Sequence, residues 1–102
     1  MDYRKRKYFL VRLDYMMYKY RISQLKICVP SIKISPPYNH FTKNITIGTY
    51  DGNVKGVLGC WQMMISCDKE HEGNLLYELR KAERRDVFGC KWFELTKEIC
   101  GQ

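Results

Sequence analysis

Basic side chains are the residues of this sequence whose spacing suggests a chemical role. Four consecutive cations occupy positions 4–7, and further lysines and arginines alternate with apolar residues as far as position 33. Cations at this density attract phosphate groups and release counterions when they bind a nucleic-acid backbone. The sequence therefore predicts a nucleic-acid-binding surface. Its residues are Arg4, Lys5, Arg6, Lys7, Arg12, Lys19, Arg21, Lys26 and Lys33.

The positive charge is unevenly distributed along the chain. The 102 residues include 18 basic and 11 acidic side chains, which gives a net charge of +7. Residues 1–67 hold 11 bases against three acids, whereas residues 68–102 hold seven bases against eight acids. The first two-thirds of the chain can therefore attract either phosphate or an acidic partner.

Tyrosines and lysines are interleaved between Tyr15 and Tyr20. Aromatic rings beside cations suit the stacking of bases and the contact with phosphates that single-stranded nucleic acids offer. The same pattern is typical of a half-buried sheet whose tyrosine hydroxyls reach the rim. Both interpretations stay open at the level of the sequence.

Histidines and cysteines are the other candidates for chemistry. Three cysteines lie near His71 and are of a type that binds zinc, but their spacing contains no C-x-x-C pair. They are Cys60, Cys67 and Cys90. No serine, histidine and acid pattern typical of nucleophilic catalysis is evident. We therefore expect unpaired thiols that pack as small apolar side chains, with no metal site and no cofactor.

The cysteine content also bears on the cellular compartment. Five is an odd number, and no apolar run that could act as a signal peptide follows the basic N-terminus. The longest apolar runs stop well short of the ~20 residues that cross a bilayer. We expect an intracellular, reduced protein, cytoplasmic or in another interior compartment, that is neither secreted nor embedded in a membrane.

Period-two alternation of apolar residues predicts most of the elements that must position these side chains. Helical spacing of leucines predicts one helix at about 69–86, and a short C-terminal helical turn is expected at 96–99. The dipeptide Asp51-Gly52 is typical of a hairpin turn. The predicted strands cover residues 8–15, 18–22, 25–29, 32–34, 45–49, 54–58, 61–65 and 92–95.

These elements predict an α+β fold built on a small, mainly antiparallel sheet. The chain has the length of one domain, so residues 1–102 are expected to share a single core. Residues 1–7 are expected to form a basic N-terminal arm outside that core.

Between residues 65 and 99, a predicted strand that ends in Asp68 is followed by a helix that carries Glu72 and Leu75 and by an aromatic strand at residues 91–95. In this arrangement, residues 65–99 resemble the phage and large-virus branch of the GIY-YIG-type nuclease superfamily. In that branch a strand ending in an acid precedes a helix of the form E-x-x-L-H, a basic residue, a glycine and a closing E-W-F-x-L strand. The corresponding segments here are residues 65–68, Glu72, residues 75–77, residues 84–85, Gly89 and residues 91–95. The resemblance implies cleavage of phosphodiesters with Mg²⁺, in which Tyr8 or Tyr18 and Glu72 would take part. No arginine lies between Arg21 and Arg80 to match the catalytic arginine of active members, so the resemblance implies a nucleic-acid-binding shell without catalysis.

Three functions follow from the sequence. The first is a small basic accessory protein that binds nucleic acid and performs no chemistry. The second is a protein-interaction module, of the kind that a virus or mobile element uses as an inhibitor, whose aromatic and methionine side chains contact a protein partner. The third is a metal-dependent nuclease. The sequence alone leaves these three open.

Overall fold

The computed structural model describes residues 2–49, 52–85 and 90–96, and for residues 40–49, 52–59 and 90 it describes the backbone alone. Seven elements and one 3-10 turn follow in chain order. They are β1 (Arg6–Asp14), α1 (Tyr18–Cys28), β2 (Lys33–Ile34), β3 (Tyr38–Thr49), β4 (Gly52–Asp68), the 3-10 turn Lys69–His71, α2 (Glu72–Arg85) and β5 (Cys90–Leu95).

The five strands form one antiparallel sheet, which confirms the predicted α+β fold. The order is β2-β4-β1-β5, and β3 pairs with β4 beyond the end of β2. β1 is central, since Phe9 lies opposite Ile65 of β4 on one side and Glu94 of β5 on the other. The predicted hairpin is confirmed as far as it is described, because Thr49 of β3 lies opposite Gly52 of β4, while Asp51 falls outside the described residues.

The core lies between one face of this sheet and the two helices. The alternation of β1 turns Phe9, Val11 and Leu13 toward the helices, where all three are buried. Side chains from the neighbouring strand and from both helices complete the cluster. They are Met63, Ile65 and Cys67 of β4, Leu25 of α1, Val29 after it, and Leu75, Leu79 and Ala82 of α2.

The strands predicted at 18–22 and 25–29 are wrong, because these residues form α1 and the turn that follows it. The residues of this segment that pack against or within the core recur at intervals of four, three and four, which is helical spacing. They are Tyr18, Ile22, Leu25 and Val29. Tyr20 and Ile27 are exposed apolar residues at positions between them, and they produced the apparent period of two.

The predicted helix at 69–86 is confirmed as the 3-10 turn followed by α2. The predicted helical turn at 96–99 begins at the last described residue, and the rest of it falls outside the described part of the chain. Neither helix within the described ranges is long and apolar enough to cross a membrane.

Asp14 stabilises the turn that leads from β1 into α1. Its Oδ1 atom accepts a hydrogen bond of 2.8 Å from the backbone N–H of Met17, and the side chain is buried. We expect Asp14→Ala to lower the free energy of unfolding by about 1–2 kcal/mol, because the N–H loses its partner. Asp14→Asn keeps an oxygen at this position and is expected to lower the free energy of unfolding by less. Urea unfolding of the two variants measures both effects, and equal losses would contradict this role of the oxygen.

Candidate functional site

The second face of the sheet carries the side chains that alternate with the core. Both helices pack on the opposite face, so within the described ranges no helix covers this one. We call it the open face. Its middle, on the three strands β1, β4 and β5, consists of Tyr8, Leu10, Arg12, Gln62, Met64, Ser66, Lys91, Phe93 and Leu95. The paired residues Arg6 and Asp68 lie at one end of this face, and the paired residues Asp14 and Cys60 lie at the other.

An apolar row crosses the middle of the open face. Leu10 of β1 lies opposite Met64 of β4 and Phe93 of β5, so three apolar side chains are neighbours across three strands. Leu10 and Met64 are half-buried, and Phe93 is 51% exposed. The neighbouring pair Tyr8 and Leu95 extends this apolar area toward the next row.

A cationic row lies directly beside the apolar one. Arg12 is opposite both Gln62 and Lys91, and its Nε donates a hydrogen bond of 2.7 Å to Gln62 Oε1. The Gln62 amide in turn donates to the hydroxyl of Tyr38, which fixes the direction of the guanidinium. Among the described side chains, neither Arg12 nor Lys91 forms an ion pair. The open face therefore combines apolar area with cations that form no ion pair with a described carboxylate.

A groove of about 300 Å³ extends the open face toward the edge strand β2. Tyr8, Met64 and Lys33 contribute to its walls, and Lys33 lies opposite Ser66 at the sheet edge. The Tyr8 ring is buried and packs edge-to-face against Tyr3, with ring centres 5.5 Å apart. Lys33, which is exposed, thus adds a third cation to the border of the apolar row, beside half-buried Arg12 and exposed Lys91.

Three of the predicted nucleic-acid-binding residues are engaged inside the fold. Arg6 donates to the Asp68 carboxylate at 2.8 Å. Lys7 points to the helix side, where it donates to Glu94 at 2.9 Å, and this hydrogen bond raises the pKa of Lys7 above its ordinary value. Arg21 is buried in α1. These three side chains are therefore not available as a phosphate-binding surface.

The other predicted cations are distributed over separate surfaces. Lys19 and Lys26 lie on the exposed side of α1, whereas Arg12 and Lys33 lie on the open face. Arg4 and Lys5 belong to the turn before β1, so the basic arm predicted at 1–7 is shorter than expected, because Arg6 and Lys7 are strand residues. The structure does not bring the predicted set together on one face.

The three residues suggested by the nuclease resemblance also lie apart. Tyr8 is on the open face, whereas Glu72 begins α2 on the helix side, 3.8 Å from Lys7 Nζ. Tyr18 begins α1 and packs on Trp61, with ring centres 5.7 Å apart. Tyr8 and Glu72 therefore flank the sheet from opposite sides. The nuclease activity stays a prediction that this placement does not favour.

The thiols of Cys28, Cys60 and Cys67 are not joined in disulfide bonds, while Cys90 and Cys100 have no described side chain. Burial raises the pKa of the Cys67 thiol and of the Cys60 thiol above the ordinary value. Both thiols are therefore protonated at neutral pH, which makes them poor nucleophiles.

Solved structures resemble this fold, and two of them match it over most of both chains. A DUF3240 family protein from Shewanella baltica is 10% identical, with a TM-score of 0.51 over 89% of this chain and 88% of its own. GlnK of B. subtilis, in complex with ATP, is also 10% identical, with a TM-score of 0.51 over 90% of this chain and 85% of its own. No family model and no curated protein matches the sequence. At this identity the likeness shows the fold alone.

The apolar row of the open face is not among the site residues predicted from the sequence. Its signal was present, because β1 carries Tyr8 and Leu10 at positions where a strand with one solvated face would carry polar residues. Met64 and Phe93 repeat this feature on the two neighbouring strands. What the sequence could not supply is the strand order that places them side by side.

Proposed function

We propose that this chain is a protein-interaction module that binds an acidic protein through its open face. The observation that carries the proposal is the row of Leu10, Met64 and Phe93 across three strands, bordered by uncompensated cations. Contiguous apolar area with a polar rim is typical of a surface that another protein covers.

Charge selects the kind of partner. Arg12, Lys33 and Lys91 border the apolar row, and within the described side chains none of them has a carboxylate partner. A second copy of this chain would bring the same cations against each other in a symmetric contact, which costs free energy. A protein with carboxylates around an apolar centre matches both features of the face.

Site-specific photo-crosslinking, in the cells that naturally produce this protein, tests the proposal. We expect p-benzoylphenylalanine in place of Phe93 to crosslink an acidic protein, with the crosslinked peptide rich in Asp and Glu. The same probe in place of Tyr77, which is exposed on α2, is the control and is expected to give no such product. Equal capture at both positions, or capture of a second copy of this chain at position 93, would contradict the proposal.

Lys91→Gln tests the electrostatic part of this proposal. With the identified partner purified, we expect the variant to lower affinity by roughly threefold to tenfold and to reduce the dependence of affinity on salt. Lys19→Gln removes an equally exposed charge from α1 and is the control. Calorimetric titration at two salt concentrations measures both. Equal affinity and equal salt dependence of Lys91→Gln and Lys19→Gln would contradict the electrostatic part of the proposal.

A second candidate is the binding of single-stranded nucleic acid on the same face. It is favoured by the exposed Phe93 ring next to Lys91, which suits a stacked base and a phosphate. Three cations, Arg12, Lys33 and Lys91, predict a slope of about −2 for the logarithm of affinity against the logarithm of salt concentration. Fluorescence anisotropy with DNA and RNA oligonucleotides tests this candidate, and an unchanged anisotropy at low salt excludes it.

A further inference from the structure

Three different metal-ligating side chains meet where β4 ends and the 3-10 turn begins. Asp68, Glu70 and His71 each place one ligand atom within 4.8 Å of the other two. We call them the Asp68–His71 cluster. The cluster lies at the end of β4, beyond the apolar and cationic rows of the open face, and the proposed function does not use it.

Ser31 joins this cluster from the loop between α1 and β2. Its Oγ lies 2.5 Å from the Pro30 carbonyl oxygen, 2.9 Å from the backbone nitrogen of Asp68 and 2.8 Å from His71 Nδ1. The carbonyl can only accept, so it takes the single hydroxyl hydrogen. The Asp68 N–H can only donate, so it occupies one lone pair of Oγ.

The third contact of Ser31 therefore requires a donor on His71. The remaining lone pair of Oγ accepts from Nδ1–H, which assigns the proton of a neutral His71 ring to Nδ1. The Nε2 lone pair then lies on the other side of the ring, 3.8 Å from Glu70 Oε1. Two electron-rich atoms face each other across this gap, and a cation between them would satisfy both.

Asp68 is held in a similar way. Arg6 donates from Nη1 to Asp68 Oδ1 at 2.8 Å and from Nη2 to the Ser31 carbonyl at 2.9 Å. The hydrogen bond to Oδ1 thus holds the carboxylate in place, and Oδ2 is the oxygen that can ligate a metal ion. Metal-binding histidines and carboxylates commonly have such hydrogen bonds behind them, because these bonds fix the ligand atoms in position.

The dimensions also suit a small transition-metal ion. Zinc lies about 2.0–2.1 Å from nitrogen or oxygen ligands, so two ligand atoms of a tetrahedral site are about 3.3 Å apart. The gap between His71 Nε2 and Glu70 Oε1 exceeds this by a small amount, and Glu70 is 76% exposed and able to rotate. An imidazole with two carboxylates favours zinc or a neighbouring transition metal over magnesium or calcium.

We propose that Asp68, Glu70 and His71 form a binding site for a divalent transition-metal ion such as Zn²⁺. His71 ligates through Nε2, and Ser31 is a positioning residue that holds the ring in the required tautomer. This site is independent of the open face, so the failure of one proposal leaves the other standing.

The test is titration of the reduced full-length chain with Co²⁺, followed by competition with Zn²⁺. We expect one Co²⁺ per chain, with the visible d–d bands of nitrogen and oxygen ligands and without a sulfur-to-cobalt charge-transfer band. Glu70→Gln and His71→Gln are expected to weaken binding by about tenfold or more, and Ser31→Ala by about tenfold. Circular dichroism checks the fold of each variant, and the exposed Glu70→Gln variant provides the test if the others fail to fold.

His40→Gln is the matched control, because it removes the other histidine of the chain and is expected to leave Co²⁺ affinity unchanged. The proposal is overturned if the wild-type chain binds no Co²⁺, or if a charge-transfer band shows that cysteines bind it. It is also overturned if Glu70→Gln binds as tightly as the wild type.

Discussion

Leu25→Ala is expected to lower the free energy of unfolding by about 2–4 kcal/mol, because it opens a cavity in the core beneath α1. Ile27→Ala, two residues along, is expected to change it by no more than about 0.5 kcal/mol. The side chain of Leu25 is 3% exposed and that of Ile27 is 77% exposed. Urea unfolding under reducing conditions measures both variants.

This pair of variants decides between the two interpretations of residues 18–29. In a strand, Leu25 and Ile27 would share one face, so both substitutions would cost similar amounts. In the helix they lie about 200° apart around the axis, so only one of them reaches the core. Comparable losses from the two variants would contradict α1.

Arg6→Met is expected to lower the free energy of unfolding by about 2–4 kcal/mol. The guanidinium joins β1 to two other segments, since it donates to Asp68 and the Ser66 hydroxyl of β4 and to the Ser31 carbonyl in the loop before β2. Methionine keeps most of the apolar stem, so the loss reports mainly the hydrogen bonds. Arg6→Lys is also expected to be destabilising, because an ammonium group cannot reproduce the fork of donors.

Arg4→Met is the control for this substitution. The Arg4 side chain is 91% exposed and lies 3.7 Å from Asp2, whereas the Arg6 side chain is 14% exposed. We expect Arg4→Met to change stability by less than about 0.5 kcal/mol, because exposed ion pairs contribute little. Equal effects of the two variants would show that Arg6 acts only as a surface charge, which contradicts the structure.

The comparison of these two arginines explains why part of the site could not be predicted. Arg4 and Arg6 belong to one run of cations, and no local pattern separates a solvated arginine from one that pairs with Asp68. The partner lies 62 residues away, so the pairing depends on the register of β1 against β4. The net positive charge could be predicted from the sequence, but not which basic side chains form ion pairs within the folded chain.

The fold could be predicted in those segments whose apolar residues follow a single period. β1 and α2 have a single clear period, and both were predicted within about three residues of their observed bounds. The prediction for residues 18–29 was wrong because the exposed apolar residues Tyr20 and Ile27 add a period of two to the helical spacing of the core residues. The Asp68–His71 cluster spans only four residues of the sequence, but the contact that orients the His71 ring could not be predicted, since Ser31 reaches it from a loop 40 residues earlier.

The central claim is that the open face binds an acidic protein, and the affinity of the crosslinked partner for two matched variants tests it most directly. Phe93→Ser removes an exposed ring from the apolar row, and Tyr77→Ser removes an exposed ring from α2. The account predicts that Phe93→Ser weakens binding by about tenfold or more while Tyr77→Ser stays within about twofold of the wild type. Unchanged affinity with Phe93→Ser, or an equal loss with Tyr77→Ser, would contradict it.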